Sequence, residues 1–192
     1  MSTSLEARAR RLPGDLAMWL FILAELSVFA ILILVFAITQ QLKPQLFAHS
    51  RQLLDTSTGL AMTLSLLSAG ALAALAQQQV RQARSRPAAL LLLAALLVAC
   101  GYVWLKLGEY RHLLGAGLGI EHNTFFTLYW IVTGFHFLHV LLGMLILAWL
   151  ALRAWQHSDG PGPCSGFESG VLYWHMVDLV WVLLFPLVYL LD

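Results

Sequence analysis

A small set of ionisable side chains lies in or against long apolar runs of this sequence: Glu25, Glu109, His136, His139, Glu168, His175 and Asp178. A charge in hydrocarbon is expensive, so each of these residues needs a partner or a purpose. His136 and His139 are spaced i, i+3, as are His175 and Asp178, so each pair shares a helix face. Glu168 and His175 are separated by i+7 and point the same way. Three chemistries suit this set. The residues can hydrogen-bond helices to one another as polar glue. Glu25 can serve as a proton-active or lipid-associated carboxylic acid, because burial disfavours its anion. His136 or His139 with His175 can hold haem, whose iron commonly takes axial His, although nothing in the spacing favours haem over packing. No metal site is readable: Cys100 and Cys164 stand without CxxC or His-paired spacing.

The elements that position these residues follow from composition. The chain has 192 residues, of which 60% are hydrophobic and only 11% charged, with a mean hydropathy of +0.78. A soluble domain carries about a quarter charged residues, so this chain has too few to coat a globule of its size. Eleven Lys+Arg against ten Asp+Glu leave no basic surplus for nucleic acid. The fold class is therefore all-α, an integral membrane bundle.

A helix needs about 20 apolar residues to cross ~30 Å of hydrocarbon. Five segments qualify, approximately 16–38, 57–76, 87–107, 125–152 and 170–191, within one domain covering 1–192. On that reading Glu109 closes the third span and Glu168 opens the fifth. Glu25 lies ~14 Å from the start of its helix, and His175 and Asp178 roughly 8–12 Å from the same membrane face. Groups at overlapping depths can meet across helix interfaces. Thr133, His136, Val140 and Gly143 form one stripe for close packing on the fourth span. The tryptophans, among them Trp130, Trp149, Trp155, Trp174 and Trp181, read as core residues or interface anchors.

Orientation follows from the basic residues in short loops. Arg8, Arg10, Arg11, Arg81, Arg84, Arg86 and Arg153 fall on one side, against Lys43, Arg51 and Arg111, with Lys106 near a helix end. The N-terminus is expected in the cytoplasm and the C-terminus in the periplasm. The first span is too long for a signal-peptide core and is expected to be retained. A small proton or solute transporter built around Glu25 is a rival reading. Against it, the sequence shows no inverted repeat and no Gly/Pro-broken helix pair.

Four motifs occur in order on these helices. The first is Trp19-Leu20-Phe21-Ile22-Leu23-Ala24-Glu25-Leu26-Ser27-Val28-Phe29, and the second is Glu109-Tyr110. The third is Thr133-Gly134-Phe135-His136-Phe137-Leu138-His139-Val140 with Gly143. The fourth is Phe167-Glu168-Ser169-Gly170 followed by Tyr173-Trp174-His175-Met176-Val177-Asp178-Leu179-Val180-Trp181. Together they resemble subunit III of the haem-copper oxidase superfamily, through nearly the whole chain.

The resemblance implies a non-catalytic subunit without metal or haem, packed against a catalytic haem-containing membrane subunit. It implies two helix groups with a V-shaped cleft for phospholipid. Glu25 would be the carboxyl that carbodiimides attack in this family, and Arg153 a contact to a lipid phosphate. Five spans resemble the short form found in bacterial quinol oxidases and in proteins associated with nitric oxide reductase. The endings Lys106-Leu107-Gly108-Glu109-Tyr110 and Leu184-Phe185-Pro186-Leu187-Val188-Tyr189-Leu190 look more like the second branch. Tyr129-Trp130, in place of a phenylalanine pair, points the same way. The expected role is thus an accessory protein of nitric oxide reductase in a bacterial inner membrane. The alternative is subunit III of a quinol or cytochrome c terminal oxidase.

Overall fold

The computed structural model describes residues 16–156 and 164–191. Arg8, Arg10 and Arg11 and the Gly/Pro-rich stretch 158–163 lie outside them. Six helices follow one another: α1 (Leu16–Leu42), α2 (Pro44–Arg51), α3 (Thr56–Arg81), α4 (Ser85–Gly115), α5 (Thr124–Gln156) and α6 (Cys164–Tyr189). All but α2 are long and apolar enough to cross a membrane, and no strand occurs among the described residues. Helices suit such a setting because every interior backbone group is bonded within its own segment. The protein is a multi-pass membrane protein.

The buried positions explain how the helices associate. On α3 they include Met62, Leu66, Ala69, Ala73 and Ala76; on α4, Ala88, Leu92, Ala95, Ala99, Tyr102 and Lys106. On α5 they include Tyr129, Thr133, His136, Val140, Gly143, Leu147, Leu150 and Ala154. Each series steps alternately by four and three, the 3.5-residue repeat of a left-handed bundle. The expected stripe of Thr133, His136, Val140 and Gly143 is part of it. α3 packs on α4, α4 on α5, α5 on α6, and α6 back on α3. These four helices close a ring, so a split into two helix groups can fall only between the ring and α1.

α1 stands outside that ring against α5 and α6. Its buried apolar residues, Ile22, Phe29 and Phe36, fall seven apart along a single line. The rest of its surface carries exposed aliphatic side chains such as Leu20, Leu23, Ile31 and Leu34.

Helix ends differ from the sequence expectation in two ways. The segment after α1 folds as the short helix α2, started by Pro44 at its first turn. Its buried Arg51 reaches the end of α6, donating from Nε to the Val188 carbonyl (3.1 Å) and from Nη2 to that of Leu187 (3.4 Å). Gln40 donates to the Leu191 carbonyl at 2.8 Å. The third span also runs past the expected end at 107, to Gly115. Glu109 is thus inside a helix rather than closing one.

Two helix C-termini make the same pair of closing bonds with different residues. After α4, Leu118 N–H bonds the Leu113 carbonyl and Gly117 N–H that of Leu114, with Gly117 at φ 75°. After α3, Arg84 N–H bonds Gln79 and Ala83 N–H bonds Val80, but the left-handed residue is Ala83 at φ 57°. A Cβ in this region costs roughly 1–2 kcal/mol, partly offset by the smaller unfolded-state entropy of Ala. Ala83→Gly is expected to stabilise the chain by up to about 1 kcal/mol. A thermal unfolding series in detergent checks this, and a lower midpoint would count against it.

Asp55 caps α3 by accepting from Ser57 N–H (3.0 Å) and the Ser57 hydroxyl (2.6 Å), and its other oxygen accepts from Thr58. The Ser57 and Thr58 hydroxyl bonds hold the Asp55 carboxyl below its ordinary value of 3.8. A carboxyl lowered on folding stabilises the fold above the ordinary value, and that contribution is lost as pH falls through the lowered one. Asp55→Asn should flatten the acid limb of stability against pH. An unchanged acid limb would contradict this assignment.

Candidate functional site: four polar knots in a membrane bundle

The five expected cluster residues do not form one cluster. Glu25 meets His139 across the α1–α5 seam, His136 lies in the centre of the ring, and His175 pairs with Asp178 along α6. The helical turn explains the separation. Residues three apart share a face but diverge by about 60°, enough to send His136 into the ring and His139 towards α1.

The bonds of the two α5 histidines define their tautomers, since a backbone carbonyl can only accept. His139 donates from Nδ1 to the Phe135 carbonyl at 2.8 Å, which leaves Nε2 for a second partner. That nitrogen faces Glu25 Oε2 at 2.9 Å. Phe29 and Phe135 wall the pair, with ring centroids 5.1 and 4.5 Å from the His139 ring. His136 is fully buried. It donates from Nε2 to the Val177 carbonyl at 3.1 Å and accepts at Nδ1 from the Tyr102 hydroxyl at 3.2 Å. All four ring nitrogens are engaged, so an axial ligand to haem would have to break one of these bonds.

His175 Nδ1 lies 3.2 Å from Asp178 Oδ2, with the imidazole 40% exposed beside an α1–α6 groove. Asp178 comes hard against α3 at Gly70, where a Cβ would overlap its Oδ2. Glu168 sits in the second turn of α6 and forms a 3.1 Å ion pair with Arg81 at the end of α3. Arg153 stacks over the Trp149 ring at 5.1 Å, one turn away on α5.

The largest polar knot was not expected from sequence. Lys106, read there as a residue near a helix end, has 0% exposure, and the Glu109 carboxylate 6%, at 2.7 Å from it. Lys106 Nζ also donates to the hydroxyls of Tyr129 (3.1 Å) and Tyr189 (3.3 Å). Both tyrosines donate to Glu109, Tyr129 at 2.7 Å and Tyr189 at 2.8 Å. The ammonium lies 4.8 Å from the Tyr110 ring centroid and 5.4 Å from that of Trp181, close enough for cation–π attraction. Tyr110 donates to Thr133 Oγ1 at 3.0 Å, and Trp181 to Thr63 Oγ1 at 2.9 Å. Side chains from all four ring helices are therefore tied at one level. Lys106, Glu109 and Tyr110 fall on adjacent faces of α4, a spacing that could have revealed the knot had the helix been read past 107.

No group of three or more His, Cys, Asp or Glu positioned for a metal occurs among the described residues. The arrangement is one of proton-bearing hydrogen bonds between helices. Its sequence context is equally specific: the profile of the family described as cytochrome c oxidase subunit III matches residues 13–192.

The chain belongs to the cytochrome c oxidase subunit III family.

Individual relatives agree with that placement. Cytochrome c oxidase subunit 3 of Lumbricus terrestris is 32% identical over 133 residues, covering 69% of this chain and 50% of the relative. A haem-copper oxidase subunit I+III of Aeropyrum pernix is 30% identical across 91% of this chain but only 22% of its own length. Quinol oxidase subunit 3 of Bacillus subtilis is 23% identical across 92% of this chain and 86% of its own. The subunit III chain thus spans half or less of the first two relatives and most of the third.

Proposed function

We propose that this subunit III-family protein is a non-catalytic accessory subunit of a nitric oxide reductase in a bacterial inner membrane. It carries no haem or metal of its own. It binds the catalytic haem-containing membrane subunit and phospholipid, and supports that partner's assembly, stability or activity in denitrification. The choice of branch rests on the resemblance of three segments, and one observation supports reading them together. Lys106, Glu109, Tyr129 and Tyr189 come from the three segments that resemble the reductase-associated branch, and they meet in a single hydrogen-bonded knot. These segments therefore form one packed unit.

The N-terminus faces the cytoplasm and the C-terminus the periplasm. Arg81, Arg84, Arg86 and Arg153 occupy one end of the bundle in support of this, and Lys106 leaves the opposing count because it is buried. Arg153 holds a lipid phosphate at the cytoplasmic face, beside the exposed Trp149 and Trp155. Glu25, partly exposed next to His139, is the carboxyl open to carbodiimide.

A second reading has its own support. The match with quinol oxidase subunit 3 spans most of both chains, which favours subunit III of a terminal oxidase. A chromosomal deletion separates the two. Membranes lacking the protein should lose nitric oxide uptake while oxygen uptake persists, and plasmid-borne wild type should restore it. Loss of oxygen uptake alone would favour the terminal oxidase.

A further inference from the structure

Between the start of α3 and the later turns of α4 lies an open cavity of about 350 Å³. That volume falls within the range of small-molecule sites, ~300–1,000 Å³. Its wall is mostly apolar, with Leu54, Leu105 and Trp104, and its polar lining is Asp55, Thr58, Glu109 and His112. No Lys or Arg is among its lining residues. Gly108 widens it, because a Cβ built there meets nothing within 4 Å. Asp55 caps α3 just before its apolar run, and Glu109 follows the apolar run of α4. The cavity therefore sits where the bilayer core gives way to headgroups, at the end of the bundle opposite Arg81 and Arg153.

Both carboxylates keep acceptor capacity, since each offers about four positions. Asp55 Oδ1 takes the Ser57 N–H and hydroxyl, while Oδ2 takes only the Thr58 hydroxyl. Glu109 Oε2 takes Lys106 and both tyrosines, while Oε1 takes only Tyr189. Lys106 balances the Glu109 charge, but Asp55 forms no ion pair among the described residues. His112 is the one lining residue able to carry positive charge, and uncharged it too accepts a hydrogen bond. The lining thus sets an unbalanced negative charge beside an apolar wall. It repels anions and complements a cation that has an apolar body. We propose that this cavity binds an amphiphilic primary ammonium, its head donating to Asp55 and Glu109 and its body lying against Leu54, Leu105 and Trp104. An ammonium has three donors, two for the free carboxylate positions and one for water. Two sources supply this chemistry, an aminophospholipid headgroup and a free alkylamine.

Photolabelling of the full-length protein in phosphatidylcholine nanodiscs tests the site, with a diazirine-bearing octylamine as probe and adducts mapped by mass spectrometry. Adducts should concentrate on the segments 53–58 and 104–113 and exceed those of the matching octanol probe. Asp55→Asn keeps a capping side chain but removes the charge, and should lower the adducts roughly tenfold. Gly108→Leu places its side chain in the open space and should abolish them. Adducts that survive both variants would overturn the site. Equal labelling by the octanol probe would overturn its cationic selectivity. Native mass spectrometry from nanodiscs containing phosphatidylethanolamine separates the sources. Retention of that lipid by wild type, lost in Gly108→Leu, assigns the headgroup; labelling by octylamine without retained lipid assigns the free amine.

Discussion

Lys106→Met is expected to abolish accumulation of the folded protein, or to lower its stability by about 3–5 kcal/mol, the cost of leaving a buried ion unpaired. The substitution keeps the volume and the apolar stem. What it removes is the one cation that faces the Glu109 carboxylate at 2.7 Å and donates to two tyrosine hydroxyls. The carboxylate would remain buried with only Tyr129 and Tyr189 as donors. Adding Glu109→Gln removes the orphaned charge while the amide oxygen still accepts from both tyrosines. The double variant should therefore recover much of the loss. Unfolding in mild detergent, with immunoblots of membrane fractions, measures both. A single variant as stable as wild type would show that the pair contributes nothing, and a double variant no better than the single would show that charge is not the cause.

Gly70→Ala should act almost as strongly, through steric displacement rather than charge. Its new Cβ would overlap Asp178 Oδ2, so the carboxylate must leave its place against α3 and its bond to His175. Overpacking of this kind typically costs about 1–3 kcal/mol, and the displaced buried polar group adds to it. Asp178→Ala alone should also lower accumulation, because it leaves His175 without its anionic partner. Once the carboxylate is gone, however, the methyl at position 70 has room. Gly70→Ala with Asp178→Ala should cost clearly less than the sum of the two singles, a coupling of order 1 kcal/mol or more. Strict additivity would mean that the Gly70–Asp178 contact does not set the α3–α6 distance.

The membrane fold was legible because composition and span length leave few alternatives. The spans at 57–76 and 125–152 lie inside α3 and α5, and the small-residue stripe from Thr133 to Gly143 is buried as spacing requires. The polar site was legible only in part. Glu25 and His139 could be matched by depth, but depth along a helix does not reveal azimuth. His136, three residues from His139, therefore turned out to serve Tyr102 and Val177 instead. The knot at Lys106 was hidden for a different reason. Hydropathy ends a span where charges gather, so the third span stops at 107 and Lys106 reads as a residue near a helix end rather than as a buried one. A buried ion pair neutralises that signal only in three dimensions, once Tyr129 and Tyr189 arrive from other helices. α2 escaped notice because eight residues carry too short a pattern to stand apart from a loop.

The most direct test of the accessory role is affinity purification of the tagged protein from native membranes in mild detergent, with mass spectrometry of its partners and a visible spectrum. The account predicts co-purification of the catalytic and cytochrome subunits of a nitric oxide reductase, with all haem assigned to them. Recovery of terminal oxidase subunits instead, or of the isolated chain with haem of its own, would contradict it.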